Sequence, residues 1–176
     1  MKEVPIEEAI AAQRPEWIGL IVSRRSDGYV NMMPAGWVMR ASVAPPMFAT
    51  AIERGHFTNE LIRQAGEFVI AFPSQGMGEA ISFCGSRSGR DVDKVAGAGL
   101  RLSPAKQIKT PLLADANANL ECRLACTTET GDHTIFVGEV VAAHLGDHAG
   151  PLVNFGALGY ALARPVAGTL YLPSPA

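Results

Sequence analysis

Apolar and polar positions along this 176-residue chain change period often, and long helices are not what the pattern predicts. Ile6, Ala9 and Ile10 share one face of a short helical stretch over residues 5–13, which Pro15 stops. Residues 17–23 form an almost continuous apolar run and read as a buried strand. Asp27-Gly28 supplies a tight turn, because glycine tolerates the positive φ that hairpins need. Residues 29–33 are the returning strand, broken by Pro34. Two further strands are expected over residues 36–42 and 47–52, on either side of Pro45-Pro46.

Residues 58–65 carry Leu61, Ile62 and Ala65 at helical spacing. Thr58 is the expected N-cap, its hydroxyl accepting from a first-turn N–H, and Gly66 the left-handed end. Residues 67–72 are a strand. Residues 76–94 are polar, glycine-rich and irregular, with one or two helical turns. Residues 119–127 and 134–144 alternate, are rich in β-branched side chains, and are joined at Glu129-Thr130-Gly131-Asp132, so they predict an antiparallel hairpin. Residues 152–172 are apolar and suit a last strand or a dimer contact. Strands do not alternate with long helices, which argues against a parallel doubly wound sheet. The fold expected is mainly β with short helices, an antiparallel barrel spanning residues 1–176 as a single domain.

Composition agrees. Eighteen glycines and twelve prolines favour many short elements joined by turns. At 48% apolar and 18% charged the chain is not a disordered one, and a net charge of −2 without a basic stripe excludes the usual nucleic-acid binder. No apolar run reaches the roughly 20 residues that span a bilayer, and the N-terminus has no apolar signal core. With three cysteines, a reduced, cytoplasmic protein is the expectation. Cys122 and Cys126 lack a second pair and the four histidines are scattered, so no metal site is expected.

No dinucleotide fingerprint, P-loop, zinc-protease motif or nucleophile elbow occurs. Three segments carry chemistry instead. Cys84 to Lys94 packs hydroxyls, glycines and cations into eleven residues, which suits an anion; a solvated loop is the plain alternative. Gly55-His56-Phe57-Thr58-Asn59 places a hydroxyl and free N–H groups at a helix start, an anion site in principle and otherwise a simple cap. Asn31-Met32-Met33-Pro34-Ala35-Gly36-Trp37 is an extended, interrupted stretch. Its unpaired backbone groups suit the polar edge of a planar heterocycle and Trp37 an aromatic wall, or it is a bulged strand with a core tryptophan.

Taken in order, these segments resemble the flavin reductase-like, FMN-binding split-barrel proteins of flavoredoxin type. Ser42, Pro45-Pro46, Glu121-Cys122 and the run from Gly131 to Val140 extend the resemblance over about residues 15–145. Glu53-Arg54, His56 and Val95 depart from the family's usual Arg-Pro, Arg and aromatic residues. The resemblance implies a homodimeric antiparallel split β-barrel with FMN, or alternatively FAD, near the dimer interface. It implies that Asn31, Met33, Ala35 and Trp37 line the flavin and that Thr58 and Lys94 hold it, toward its phosphate. His133 contacts it, with the partner subunit as one source. Ser42, Arg90 and Phe155 are further cofactor positions.

The activity implied is NAD(P)H-dependent flavin reduction or flavoredoxin-like electron transfer, with the hydride passing from nicotinamide to flavin N5. The flavin carries the chemistry and no catalytic side chain is expected. A partner monooxygenase or redox protein is the implied acceptor. A flavin-storage protein without turnover, or a split-barrel module without flavin, are the alternatives.

Three side-chain expectations follow from the residues. Cys122 and Cys126 stand an even number apart on one strand, so both should face an apolar core. Cys84 near Arg87 and Arg90 is either a stabilised thiolate or a small buried filler. Lys94, after Asp91 and Asp93, should be a solvated loop cation.

Overall fold

The computed structural model describes residues 1–147, 150 and 152–154, and the backbone of 160–162. Expectations placed on Phe155 and on most of residues 152–172 fall outside these. A short helix α1 (Ile6–Ala11) leads to β1 (Glu16–Trp17) and β2 (Gly19–Arg24). The apolar run expected as one strand therefore divides at Ile18: β1 pairs with a different sheet from β2. β3 (Val30–Ala35), β4 (Val38–Ser42) and β5 (Met47–Glu53) follow, then α2 (Phe57–Ala65) and β6 (Glu67–Pro73). The irregular stretch after β6 is more helical than expected. It contains a 3-10 turn (Gln75–Met77), α3 (Gly78–Gly85) and α4 (Lys94–Gly97). Short strands β7 (Leu102–Ser103) and β8 (Leu112–Leu113) bracket a loop. Then comes the hairpin β9 (Ala116–Thr130) and β10 (His133–Leu145), and finally β11 (Leu152–Asn154) and β12 (Tyr160–Leu162).

Seven strands form one antiparallel sheet in the order β3-β2-β6-β9-β10-β5-β4. Its two edge strands, β3 and β4, are joined by only Gly36 and Trp37, so the sheet curls until its edges are neighbours. Alternation sorts the side chains. Ile21, Ala35, Val38, Ile52, Phe68, Ile70, Cys122 and Phe136 fill the concave face with Ile62 of α2. Leu20, Val22, Met32, Val69 and Ala71 point the other way and are covered by Met77, Ile81 and Cys84. Packing inside the curl is tight at Gly138. A Cβ there would come within 2.7 Å of both Cys122 Cβ and Phe68 Cζ. Gly138→Ala is expected to cost about 1–3 kcal/mol of stability by overpacking, read as a fall in the urea midpoint.

The N-cap of α2 stands two residues earlier than the cap chemistry of Thr58 suggested. His56 is the N-cap, with extended backbone and no side-chain capping bond, and Thr58 lies inside the first turn. Gly66 ends the helix at φ 67°, as its position predicted.

The hairpin β9–β10 carries an irregularity that strand parity alone does not reveal. Val137 pairs with Cys126 but Gly138 pairs with Leu124, so Ala125 is an extra residue. Such a bulge reverses the faces beyond it. Cys122 stays on the concave side, buried, whereas Cys126 turns outward and is exposed. The expectation of two buried thiols on one face is thus corrected for Cys126.

Candidate functional site

Three chain segments that lie far apart in sequence meet around a cleft of about 320 Å³. β3 supplies Asn31 and Met33. The turn into α2 supplies Gly55, His56, Phe57 and Thr58. The stretch Cys84 to Arg90 with Lys94 closes the third side. Five of the ten positions singled out by sequence, Asn31, Met33, Thr58, Arg90 and Lys94, are therefore gathered in one place.

Each wall has a local cause. With no side chain capping α2 and the Asn59 N–H donating to His56 O at 3.0 Å, the N–H groups of Phe57 and Thr58 are the ones left for an outside acceptor, and the helix dipole favours a negative group there. The loop opposite is pinned by Tyr29, whose hydroxyl lies 2.7 Å from Gly89 O and 2.9 Å from Val92 O. Ser88 Oγ accepts the Arg90 N–H at 3.1 Å, tightening the turn. Asn31 is buried and donates through Nδ2 to Thr58 Oγ1 at 2.9 Å. Its Oδ1 has no hydrogen-bond partner, and it presses on the loop: a Cβ on Gly89 would lie 2.0 Å from it.

Three cations border the cleft, each restrained. Arg87 lies over the Phe83 ring at 4.2 Å and donates to Ser86 Oγ. Arg90 lies over Phe57 at 4.8 Å, donates to Gly55 O, and pairs with Glu60 at 2.9 Å. Lys94 overturns the expectation of a solvated loop cation. It is only 4% exposed, and its ammonium donates to Met32 O at 2.9 Å and Cys84 O at 2.7 Å. Burial lowers its pKa, with Cys84 acting weakly the other way. An ammonium has three protons, so Lys94 ties β3 to the end of α3 and keeps one proton for the cleft.

Two of the three thiols, Cys84 and Cys122, are buried. Burial raises the Cys84 pKa, opposed by Lys94, and pushes Cys122 up to about 12, with Glu121 adding to the effect. Cys84 is the small buried filler, not a stabilised thiolate.

The other named positions stand elsewhere. Trp37 is 56% exposed and stacks on His133, ring centroids 4.7 Å apart. His133 Nδ1 sits 2.5 Å from Asp132 Oδ1, and that contact, first among its causes, lowers the Asp132 pKa. Trp37 thus walls no part of the cleft within the single chain. Ala35 is buried in the concave core opposite Gly19, and Ser42 is half-buried beside Met47 at the end of β4. Sequence reasoning did not carry Tyr29 or Arg87 to the site. Arg87 was visible in the loop it named, but Tyr29 acts across sixty residues and left no local signal. Among the described residues no cluster of three metal-type ligands occurs, and no helix is long and apolar enough to cross a membrane.

The pattern of the flavin reductase like domain matches residues 13–160. The chain belongs to the flavin reductase-like family. It is 38% identical over 117 residues to an uncharacterised protein of Archaeoglobus fulgidus, covering 66% of each. The matched stretch thus spans about two thirds of that relative's length. Flavin reductases are among the family members it matches, at 27% and 29% identity. Among solved structures, an FMN-binding protein of Thermus thermophilus with bound cyclohex-2-enone superposes with TM-score 0.80 at 28% identity, covering 97% of both chains. A flavoredoxin of Methanosarcina acetivorans does so with the same score and identity, covering 97% of this chain and 93% of its own.

Proposed function

We propose that this protein binds FMN and works as an NAD(P)H-dependent flavin reductase or flavoredoxin-like electron-transfer protein. The cleft carries the reading. An uncapped helix start, a glycine-rich loop, the Thr58 hydroxyl and three restrained cations converge there, which is the donor set a phosphate monoester needs. The residues present fit a flavin mononucleotide. FAD is the alternative, its inner phosphate taking the same place. When bound, the flavin supplies the redox chemistry by accepting a hydride at N5.

The protein's part is to hold and shield. The N–H groups of Phe57 and Thr58 and the Lys94 ammonium take the phosphate, with Arg87 and Arg90 at the rim. Asn31, Met33 and Ala35 set the line of β3 along which the ring system is held. No thiol or acid–base pair takes part. The Cys84→Ala, Cys122→Ala, Cys126→Ala triple variant should keep NAD(P)H-dependent flavin reduction; loss of activity in a folded, flavin-loaded Cys84→Ala protein would contradict this.

The curled sheet is read as a split barrel that pairs into a homodimer. The convex side of β4, β5, β10 and β9 presents Trp37, Met39, Ala51, Ile135, Val137 and Cys126, and no element covers it among the described residues. An apolar sheet face of this kind suits a second copy. In that dimer His133 is assigned to the partner chain's cofactor. A monooxygenase or redox protein in the cytoplasm is the proposed acceptor, and Ser42 and Phe155 remain proposed cofactor positions.

Gly89→Ala tests the loop. Its added methyl group must displace Asn31 Oδ1 or the loop backbone. We expect FMN affinity to fall at least about tenfold, as for one lost charge-assisted hydrogen bond, and the melting temperature to fall as well because buried Asn31 must shift. The function itself is tested by mixing the FMN-loaded protein with NADH or NADPH under nitrogen. Rapid loss of the visible flavin absorbance is expected. A yellow protein that does not bleach would favour the storage reading.

A further inference from the structure

Among the described residues, the concave face of the sheet is closed at one end only. There α2 packs Ile62 into the curl, and Arg63 donates to Thr134 Oγ1 at 3.0 Å and pairs with Glu129. At the opposite end, where β4, β5, β6 and β10 meet the start of β9, lies a second cavity of about 520 Å³. Among the described residues it shares no lining residue with the cleft described above. Its walls include the rings of Trp17, Phe48 and Phe72 and the side chain of Val38.

Two polar groups interrupt this apolar lining. Arg40 is the only charged residue among the described ones that line it, and it makes no ion pair or hydrogen bond among the described residues. Asn117 donates through Nδ2 to Pro73 O at a long 3.3 Å, while its buried Oδ1 has no partner. Turning that amide toward the cavity sacrifices one weak bond. A cavity of this size, apolar and aromatic with one unpaired cation at its edge, has the make-up of a small-molecule site.

We propose that the open end of the sheet binds an aromatic carboxylate of one to three rings. Its ring system lies among Trp17, Phe48 and Phe72, and its carboxylate meets Arg40. The charge decides between an acid and a neutral aromatic, because guanidinium and carboxylate pair in a two-pronged geometry that an alcohol cannot match. The site does not depend on the flavin reading and should persist whether or not the cleft holds FMN.

Calorimetric titration of the full-length protein saturated with FMN tests it, with naphthalene-2-carboxylate and the uncharged naphthalene-2-methanol as probes. The carboxylate is expected to bind once per chain and about tenfold more tightly than the alcohol. Arg40→Met, an exposed change, should remove that preference while leaving FMN affinity and the melting profile unchanged. Equal binding of the two probes to the unaltered protein, a preference that survives Arg40→Met, or displacement of the carboxylate by FMN would each overturn the proposal. So would absence of binding, which would mean that the opening is covered by a second copy or by the chain itself.

Discussion

Lys94→Met is expected to lower stability by about 2–3 kcal/mol as well as weaken FMN binding. The ammonium is buried and bridges Met32 O in β3 to Cys84 O at the end of α3. Removing it leaves two carbonyls without a strong donor, and each buried orphan costs about 1–3 kcal/mol, offset in part because a charge no longer has to be desolvated. The cleft lies on the same two elements, so its third proton and its geometry are lost together. Urea unfolding of the flavin-free protein separates the effects. A midpoint equal to that of the unaltered protein would show that Lys94 is the solvated cation its sequence neighbours suggested.

Glu121→Ala is expected to be the most damaging single change, at about 3–5 kcal/mol. This side chain has no exposure at all, yet it is a carboxylate. It accepts the N–H groups of Lys106, Gln107 and Ile108 and the Nε2 of His144 at 2.6 Å. Beside it Glu67 accepts from Lys109 and Thr110, so two carboxylates hold the loop between β7 and β8 against the sheet. Desolvation, the largest single influence, raises the Glu121 pKa, but the N–H donors of Lys106 and Gln107, His144 and Ile108 together outweigh it and hold it below the usual range. A carboxyl depressed in the folded state stabilises above the unfolded value, and that stability is lost as pH falls through the folded one. The unaltered protein should therefore lose stability more steeply than Glu121→Gln on going from about pH 5 to pH 3. Parallel curves for the two would contradict the assignment.

What could be read in the chain is what depends on local period. The β9–β10 hairpin shows in its alternation, α2 in the spacing of Leu61, Ile62 and Ala65, and its end in Gly66. The polar loop from Cys84 to Lys94 and the start of α2 were recognisable because hydroxyls, glycines and cations cluster within a few residues. What was not legible depends on contacts made across the fold. The extra residue Ala125 reverses Cys126 without any change in the pattern around it. Lys94 sits between aspartates in sequence, but α3 and β3 bury it from a distance. α3 itself hides behind Gly78 and Gly85, although Ile81 and Cys84 stand three apart on its buried side. Trp37 and His133 meet only because β4, β5 and β10 are neighbours, an order that connects strands nearly a hundred residues apart.

In the proposed function the cleft between α2 and the Gly85–Arg90 turn anchors the phosphate of a flavin. Titration of the flavin-free protein with FMN and with riboflavin, which differ only in that phosphate, tests it most directly. Charge-assisted bonds from the helix start, Lys94 and the arginines should make FMN bind at least about a hundredfold more tightly. Equal affinities for the two would contradict the account, because the cleft would then have no part in holding the cofactor.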